Sequence, residues 1–185
     1  IIVLHDNAYS ELVFDGQSCG SFLSIPGAME VGVEFNSLSK TYGLAGARIG
    51  FCVGNKEVVG MLKTLKSNMD YGMFLPIQAA AIEALTGDQA VVAETRAAYE
   101  HRRDVLCDGL IETGWHMEKP AGTMFVWAPI PDSYQDSEAF VADLLDKTGV
   151  LVTPGSAFGP SGEGYVRMAL VQSEDTMKKI VEAVA

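Results

Sequence analysis

The strongest constraint on how this chain folds is a pair of short apolar runs. Between them lies a cluster of hydroxyl residues, one lysine and two glycines. The runs lie near residues 31–36 and 48–54, and the first alternates apolar with polar residues. This pattern predicts two β-strands, and the Ser/Lys/Gly cluster between them predicts a loop at the edge of a sheet. Lys40 is expected to lie in that loop.

The residues around Lys40 suit a specific chemistry. No acidic residue is near it in sequence, whereas Ser37, Ser39 and Thr41 supply hydroxyls. An amine in this setting can act as a nucleophile that forms a Schiff base with a carbonyl. Arg48 and the hydroxyls could hold a phosphate, because a guanidinium matches phosphate oxygens in two parallel hydrogen bonds. Pyridoxal phosphate has both an aldehyde and a phosphate, although a lysine in a loop is more often simply solvated.

Composition limits the classes of function. The chain has 185 residues, enough for one large domain or two small ones. A formal net charge of -11 argues against binding to a nucleic acid. No apolar run approaches the roughly 20 residues that span a bilayer. The histidines lack metal-ligand spacing, so no metal site is expected, and three widely spaced cysteines predict a reducing compartment, the cytoplasm.

The first half of the chain alternates strands and helices. Residues 1–4 form a continuous apolar run, which predicts a strand buried on both faces in a parallel sheet. Asp6 and Tyr9 follow it, where ligands lie in open α/β sheets; the alternative is a turn-forming Asp and a half-buried Tyr. Helices are predicted after an Asn55 N-cap, from Pro76 onward, and over residues 88–113.

After Gly114 the sequence changes from long helical patterns to short alternating segments. We predict a helix with Ser137 as N-cap, a strand at 150–153, a Gly/Pro-rich loop at 154–164 and a strand at 165–171, followed by a closing helix that Ser173 caps. The domain junction is expected near residue 95 of the long helix, which gives domains 1–95 and 96–185.

Arg167 interrupts an otherwise apolar strand. A charge in this position requires a partner, because a buried unpaired cation is costly. An internal salt bridge to Asp or Glu and a fork for a substrate carboxylate are the two interpretations.

Several motifs share their order and spacing with one family. The motifs are Asp6-x-x-Tyr9, Ser37-Leu-Ser-Lys40-Thr with Arg48 eight residues beyond, Gly122 to Trp127, and Pro154-Gly-x-x-Phe158-Gly before Tyr165-Val-Arg167. Together they resemble the fold-type I pyridoxal-phosphate enzymes, specifically the class I/II aminotransferases. Within that family, the motif sequences are most similar to those of the branch with LL-diaminopimelate and aspartate-type aminotransferases. The resemblance implies an α/β fold: part of a mainly parallel large-domain sheet, then a small α/β domain.

The resemblance also implies catalytic roles. Lys40 is expected to form the Schiff base with pyridoxal 5'-phosphate and to move the proton between substrate and cofactor. Asp6 is expected to pair with the protonated pyridine nitrogen, which keeps the ring an electron sink. Tyr9 is expected to hydrogen-bond the phenolate oxygen of the ring.

Binding roles follow from the same resemblance. Ser37, Ser39 and Arg48 are expected to hold the phosphate, and Arg167 the carboxylate of the amino acid. The substrates would be an amino acid and a 2-oxo acid, and the full-length protein a homodimer. The family's upstream part is missing, so we expect a fragment of a longer enzyme that binds cofactor weakly or not at all by itself.

Three alternatives remain open at this stage. A carbon–sulfur β-lyase of the same fold has a similar lysine loop, and fold does not fix the reaction. An aminotransferase-like domain of a transcription regulator would have a basic segment upstream. The pairs Ser37-x-x-Lys40 and Lys147-Thr-Gly match signatures of penicillin-recognising serine hydrolases. That class needs the serine to begin a helix, whereas a strand and two glycines flank this site.

Overall fold

The computed structural model describes residues 1–185 and divides into two compact units, Ile1–Arg96 and Ala97–Ala185. Each unit contains a three-stranded sheet together with helices. The predicted α/β fold class is confirmed. None of the helices combines the length and the apolar composition that a membrane-spanning segment needs.

The sheet of the first unit contains β1 (Val3–Asp6), β2 (Gly32–Ser37) and β3 (Gly50–Gly54) in that order. β1 runs parallel to β2, and β3 runs antiparallel to it. The crossover from β1 to β2 includes the short helix α1 (Ala28–Val31), as a parallel pairing requires. The connection from β2 to β3, residues 38–49, reverses the direction of the chain, so these three strands form a mixed sheet.

β1 differs from the strand that the apolar run predicted. It pairs in parallel as expected, but Ile2 and Leu4 are 51% and 66% exposed, so burial on both faces is wrong for this chain. β1 is an edge strand of its sheet, so it has a neighbouring strand on one side only. An apolar run predicts that a strand can be buried on both faces, but the elements that pack around the strand decide which faces are covered.

Three longer helices follow the sheet, α3 (Lys56–Met69), α4 (Leu75–Thr86) and α5 (Ala90–Glu112). The Asn55 side chain accepts hydrogen bonds from the backbone N–H groups of the first turn of α3, and Pro76 lies in the first turn of α4. All three predicted helices are therefore confirmed. The division between the two units falls within α5.

The second unit is built on β4 (Phe125–Pro129), β5 (Thr153–Pro154) and β6 (Tyr165–Ala169), ordered β4-β6-β5 with antiparallel ladders. The strand predicted at 150–153 is reduced to the two residues of β5, because only these pair with β6. The strand predicted at 165–171 ends two residues early.

Two helices complete this unit, α6 (Ser137–Thr148) and α7 (Glu174–Val184). The N-cap of α6 is Asp136 and not Ser137, because the Asp136 carboxylate accepts a hydrogen bond from Ala139 N at 2.7 Å. The N-cap of α7 is Ser173, as predicted. Gly149 ends α6 in the left-handed conformation with a φ of 73°.

The second sheet has one buried and one outer face, as the two-residue period of a strand requires. Val126, Ala128, Val166 and Met168 point into a core that also contains Leu110 of α5. The residues that alternate with them lie on the outer face: Phe125, Trp127, Tyr165 and Arg167. This outer face is the setting of the predicted substrate-binding arginine.

A buried carboxylate joins β1 to β2 in the first unit. Glu34 is only 5% exposed, and its Oε1 accepts hydrogen bonds from Asn7 Nδ2 and Asn36 Nδ2, both at 2.9 Å. Its Oε2 accepts one from Ser21 Oγ and lies 3.2 Å from His5 Nδ1. Burial by itself raises the pKa of Glu34, but these hydrogen bonds outweigh it and lower the pKa from 4.5 to about 2.

The pKa of Glu34 predicts a pH dependence of stability. Because the folded-state pKa is depressed, this contribution is fully present above pH 4.5 and is lost as the pH falls towards 2. Between pH 6 and pH 3, the free energy of unfolding should fall by about 2 kcal/mol through this group. Glu34→Gln should remove that part of the pH dependence, as measured by urea unfolding at a series of pH values.

Glu30→Gln is the matched control, because Glu30 is an exposed carboxylate in the same unit. This variant should keep the acid dependence of the wild type, to which other carboxylates also contribute. If Glu34→Gln and Glu30→Gln lose stability in parallel with the wild type between pH 6 and pH 3, Glu34 does not have the depressed pKa that its hydrogen bonds imply.

Candidate active site

Lys40 lies in a one-turn helix and not in the loop that the sequence predicted. The helix α2 (Leu38–Thr41) begins because the Ser37 hydroxyl accepts a hydrogen bond from Ser39 N at 3.2 Å, so Ser37 ends β2 and caps α2 at once. Lys40 is half-buried and forms no ion pair with a carboxylate. Its Nζ lies 5.8 Å from the centroid of the Tyr9 ring.

Asp6 and Tyr9 reach this region because β1 and β2 are parallel, so their carboxyl ends meet at the same edge of the sheet. Asp6 is the last residue of β1 and pairs with Phe35 of β2. Phe35 precedes Ser37 by two residues, which is about 7 Å along the strand. A turn closed by the bond from Leu12 N to Tyr9 O at 2.9 Å follows. Asp6 is exposed and Tyr9 half-buried.

Arg48 reaches the same end of the sheet from β3. Ser37 pairs with Gly50, and Leu38 N donates to Ile49 O at 3.3 Å, which leaves Arg48 beside the start of α2. The strands approach so closely that a Cβ on Gly50 would lie 2.5 Å from Asn36 O. Arg48 has a φ of 54°, a left-handed conformation that L-residues adopt at a cost. Its guanidinium is exposed and donates to Ala45 O at 3.0 Å.

The predicted site residues of the first unit therefore gather at one end of its sheet. They are Asp6, Tyr9, Ser37, Ser39, Lys40 and Arg48. Three of these are charged, and none of the three has an ion-pair partner within the protein. A carboxylate, an amine and a guanidinium that lie at the same end of the sheet and form no ion pairs leave their charges available to a ligand.

Arg167 lies in the second unit, on the outer face of β6 opposite Trp127. Its Cζ lies 4.3 Å from the centroid of the Phe125 ring and 4.4 Å from that of Phe158. No carboxylate lies within ion-pair distance of it, so the interpretation as an internal salt bridge is wrong. The guanidinium is stabilised by aromatic rings instead of an acid.

Glu34 is the residue of this region that sequence reasoning missed. Its partners His5 and Asn7 are the two neighbours of Asp6, so the carboxylate fixes the backbone on both sides of Asp6 from the opposite face of the sheet. The His5 Nδ1 also lies 3.3 Å from Phe22 N, and one nitrogen cannot donate to Glu34 while it accepts from Phe22. The available signal was a glutamate inside an apolar strand.

The sequence matches the family model for aminotransferase class I and II over residues 1–184. It is 48% identical over 182 residues to the LL-diaminopimelate aminotransferase of Moorella thermoacetica, covering 98% of this chain and 46% of that protein. It is 46% identical over 186 residues to the glutamate-pyruvate aminotransferase AlaC of Escherichia coli, covering 100% of this chain and 45% of that protein. The chain thus spans about half the length of the curated relatives it matches.

Solved structures agree with this result. The substrate-bound BacF structure from Bacillus subtilis superposes with a TM-score of 0.94 at 37% identity and covers 100% of this chain and 47% of that one. The aromatic aminotransferase from Pyrococcus horikoshii gives a TM-score of 0.94 at 30% identity, with coverage of 100% and 50%.

The family match also excludes the serine hydrolase alternative. Ser37 does begin a helix that contains Lys40, so the geometric argument against a Ser-x-x-Lys hydrolase was wrong. The whole-chain match still excludes that class, and Lys147-Thr-Gly is only the end of α6. Class I/II aminotransferases are pyridoxal-phosphate-dependent enzymes. The resemblance inferred from the motifs is confirmed, and the chain belongs to the aminotransferase class I and II family.

Proposed function

We propose that this chain is part of a pyridoxal 5'-phosphate-dependent aminotransferase, which moves an amino group from an amino acid to a 2-oxo acid. The observation that supports this most directly is Lys40, an amine with no carboxylate partner beside the Tyr9 ring. Relatives named as aminotransferases favour transamination over β-elimination.

The donor set fits the groups of the cofactor. An amine without an acidic partner suits an aldehyde, and the Asp6 carboxylate suits a protonated ring nitrogen. The Tyr9 phenol can donate a hydrogen bond to a phenolate oxygen. Hydroxyls at Ser37 and Ser39 and the Arg48 guanidinium suit a phosphate. Each polar group of pyridoxal phosphate therefore has a complementary residue among these six.

Each residue would then have one task. When bound, the cofactor acts as an electron sink for negative charge that develops at the substrate α-carbon. Lys40 would hold its aldehyde as a Schiff base until the substrate amine takes its place, and the freed Lys40 Nζ would then take the α-proton and deliver it to the cofactor. Asp6 would keep the ring nitrogen protonated through its negative charge. Ser37, Ser39 and Arg48 would hold the phosphate and so orient the ring.

The remaining assignments concern the whole protein. Residues 1–95 would form part of the large cofactor-binding domain and residues 96–185 the small domain. Arg167 would hold the carboxylate of the amino acid in two parallel hydrogen bonds. The full-length protein would be a homodimer that works in the cytoplasm.

Lys40→Ala in the full-length protein should abolish the covalent adduct with pyridoxal phosphate. Borohydride reduction followed by peptide mass spectrometry should find the adduct on the Lys40 peptide of the wild type and not in the variant. Transamination should fall about 10³-fold or more, because both the amine and the proton-transfer group are lost.

Lys56→Ala is the control, since Lys56 is an exposed lysine at the start of α3 in the same unit. It should keep the adduct on the Lys40 peptide. A borohydride-reducible adduct that survives in Lys40→Ala would show that another lysine binds the cofactor.

Product analysis of the full-length protein should separate the related reactions. With an amino acid and 2-oxoglutarate, we expect a new 2-oxo acid and a transferred amine. Pyruvate and ammonia from a sulfur-containing amino acid would instead indicate a β-lyase. Formation of the Lys40 adduct without turnover of any amino donor would indicate the sensor domain of a regulator.

A further inference from the structure

The environment of Arg167 differs from that of other half-buried or buried arginines in this protein. Arg96 pairs with Glu11 at 2.8 Å, Arg103 pairs with Asp104 at 2.9 Å, and Arg102 donates to Leu170 O at 3.3 Å. Arg167 has neither a carboxylate nor a carbonyl partner, and two phenyl rings lie within 4.4 Å of its Cζ. Its hydrogen-bonding capacity is therefore not used inside the chain.

The two rings reach Arg167 by different routes. Phe125 projects from β4 on the same outer face of the sheet as Arg167. Phe158 comes from the 3-10 turn Gly155–Phe158, and its ring also packs edge-on against Trp127 with centroids 5.6 Å apart. One ring thus belongs to the sheet, and the other to a loop whose position must be fixed separately.

The loop that contains Phe158 is held at its base. Gly155 and Gly162 cross so closely that a Cβ on either would lie 1.9 Å or 2.1 Å from a backbone oxygen of the other. The Glu163 carboxylate accepts hydrogen bonds from Ser137 N and from Gly164 N, both at 2.7 Å. The loop is therefore joined to the start of α6, which limits how far Phe158 can move from Arg167.

Contacts with aromatic rings leave the N–H groups of the guanidinium available to donate hydrogen bonds. A ring attracts the cation through its face, whereas the N–H groups of the guanidinium point outward in its own plane. Phe125 and Phe158 offer no acceptor, so they stabilise the charge without consuming these donors. They also restrict the rotamers of a long side chain, which lowers the entropy that a ligand must remove on binding.

We propose that Phe125 and Phe158 are positioning residues that hold the Arg167 guanidinium as a preformed fork for a carboxylate. The inference deepens the proposed function, because it rests on Arg167 as the group that receives the carboxylate of the amino acid. Neither ring contacts the reacting atoms in this role. Both act through the orientation of the arginine.

The test uses the full-length protein and propionate as an unreactive carboxylate. In the NMR spectrum, the Arg167 Nε–H resonance should show a ring-current shift that decreases in Phe158→Leu and in Phe125→Leu. Propionate should perturb this resonance in the wild type and bind about 5- to 10-fold more weakly to both variants. Phe158→Tyr keeps an aromatic ring and should restore both the shift and the affinity.

Two controls complete the design. Phe74→Leu removes an exposed phenylalanine of the first unit and should change neither readout. Arg167→Leu should abolish propionate binding, which shows that the arginine is the site. Circular dichroism verifies that each variant is folded.

The outcomes separate the inference from the function on which it rests. If Phe158→Leu and Phe125→Leu bind propionate as tightly as the wild type while Arg167→Leu does not bind it, the positioning role is wrong and the carboxylate-binding role stands. If Arg167→Leu binds propionate like the wild type, the carboxylate-binding role is wrong and the positioning proposal falls with it. Loss of affinity in both leucine variants with recovery in Phe158→Tyr supports the proposal.

Discussion

The hydrogen bonds to the buried Glu34 carboxylate are the interaction on which the candidate site depends. A carboxylate that is 5% exposed is unfavourable unless donors satisfy it, and here Asn7, Asn36 and Ser21 do so. Because Asn7 belongs to the segment after β1 and Glu34 belongs to β2, satisfying the charge fixes the parallel register of these strands. That register places Asp6 at the same edge as the start of α2. A one-residue slip would turn Asp6 to the other face.

The second constraint is the close approach of β2 and β3 beyond that edge. Only a glycine at position 50 allows it, since a Cβ there would meet the backbone of Asn36 at 2.5 Å. The chain then needs a left-handed residue to turn into β3, and this residue is Arg48 and not a glycine. A non-glycine residue held in this conformation stores strain, which is common where a side chain has to be presented to a ligand. The position of Arg48 thus follows from backbone requirements on both sides of it.

Local signals were sufficient for part of this structure. Asn55, Pro76 and Ser173 mark helix starts through hydrogen bonds and φ angles that depend on a few neighbouring residues, and the structure has helices where they predict them. The order and spacing of the motifs around Lys40 were sufficient for the family. The exposure of Leu4, the partners of Glu34 and the rings around Arg167 depend on which strands lie side by side, and strand order is not encoded locally. The helix α2 was missed because a single capped turn is too short to show a helical period.

Some charged side chains of this protein pair with other groups of the fold, and others have no charged partner. Glu34 and Arg103 are buried and have several hydrogen-bond or ion-pair partners, so their charges are fully used in holding elements together. Asp6 and Lys40 form no ion pair, and the Arg167 guanidinium contacts the Phe125 and Phe158 rings and no carboxylate. A half-buried charge such as that of Lys40 or Arg167 carries a desolvation cost when it has no counter-charge, so its presence at a structured position calls for an explanation. Binding to an ionised ligand is such an explanation, because only groups left unsatisfied by the fold can contribute their full electrostatic interaction to it.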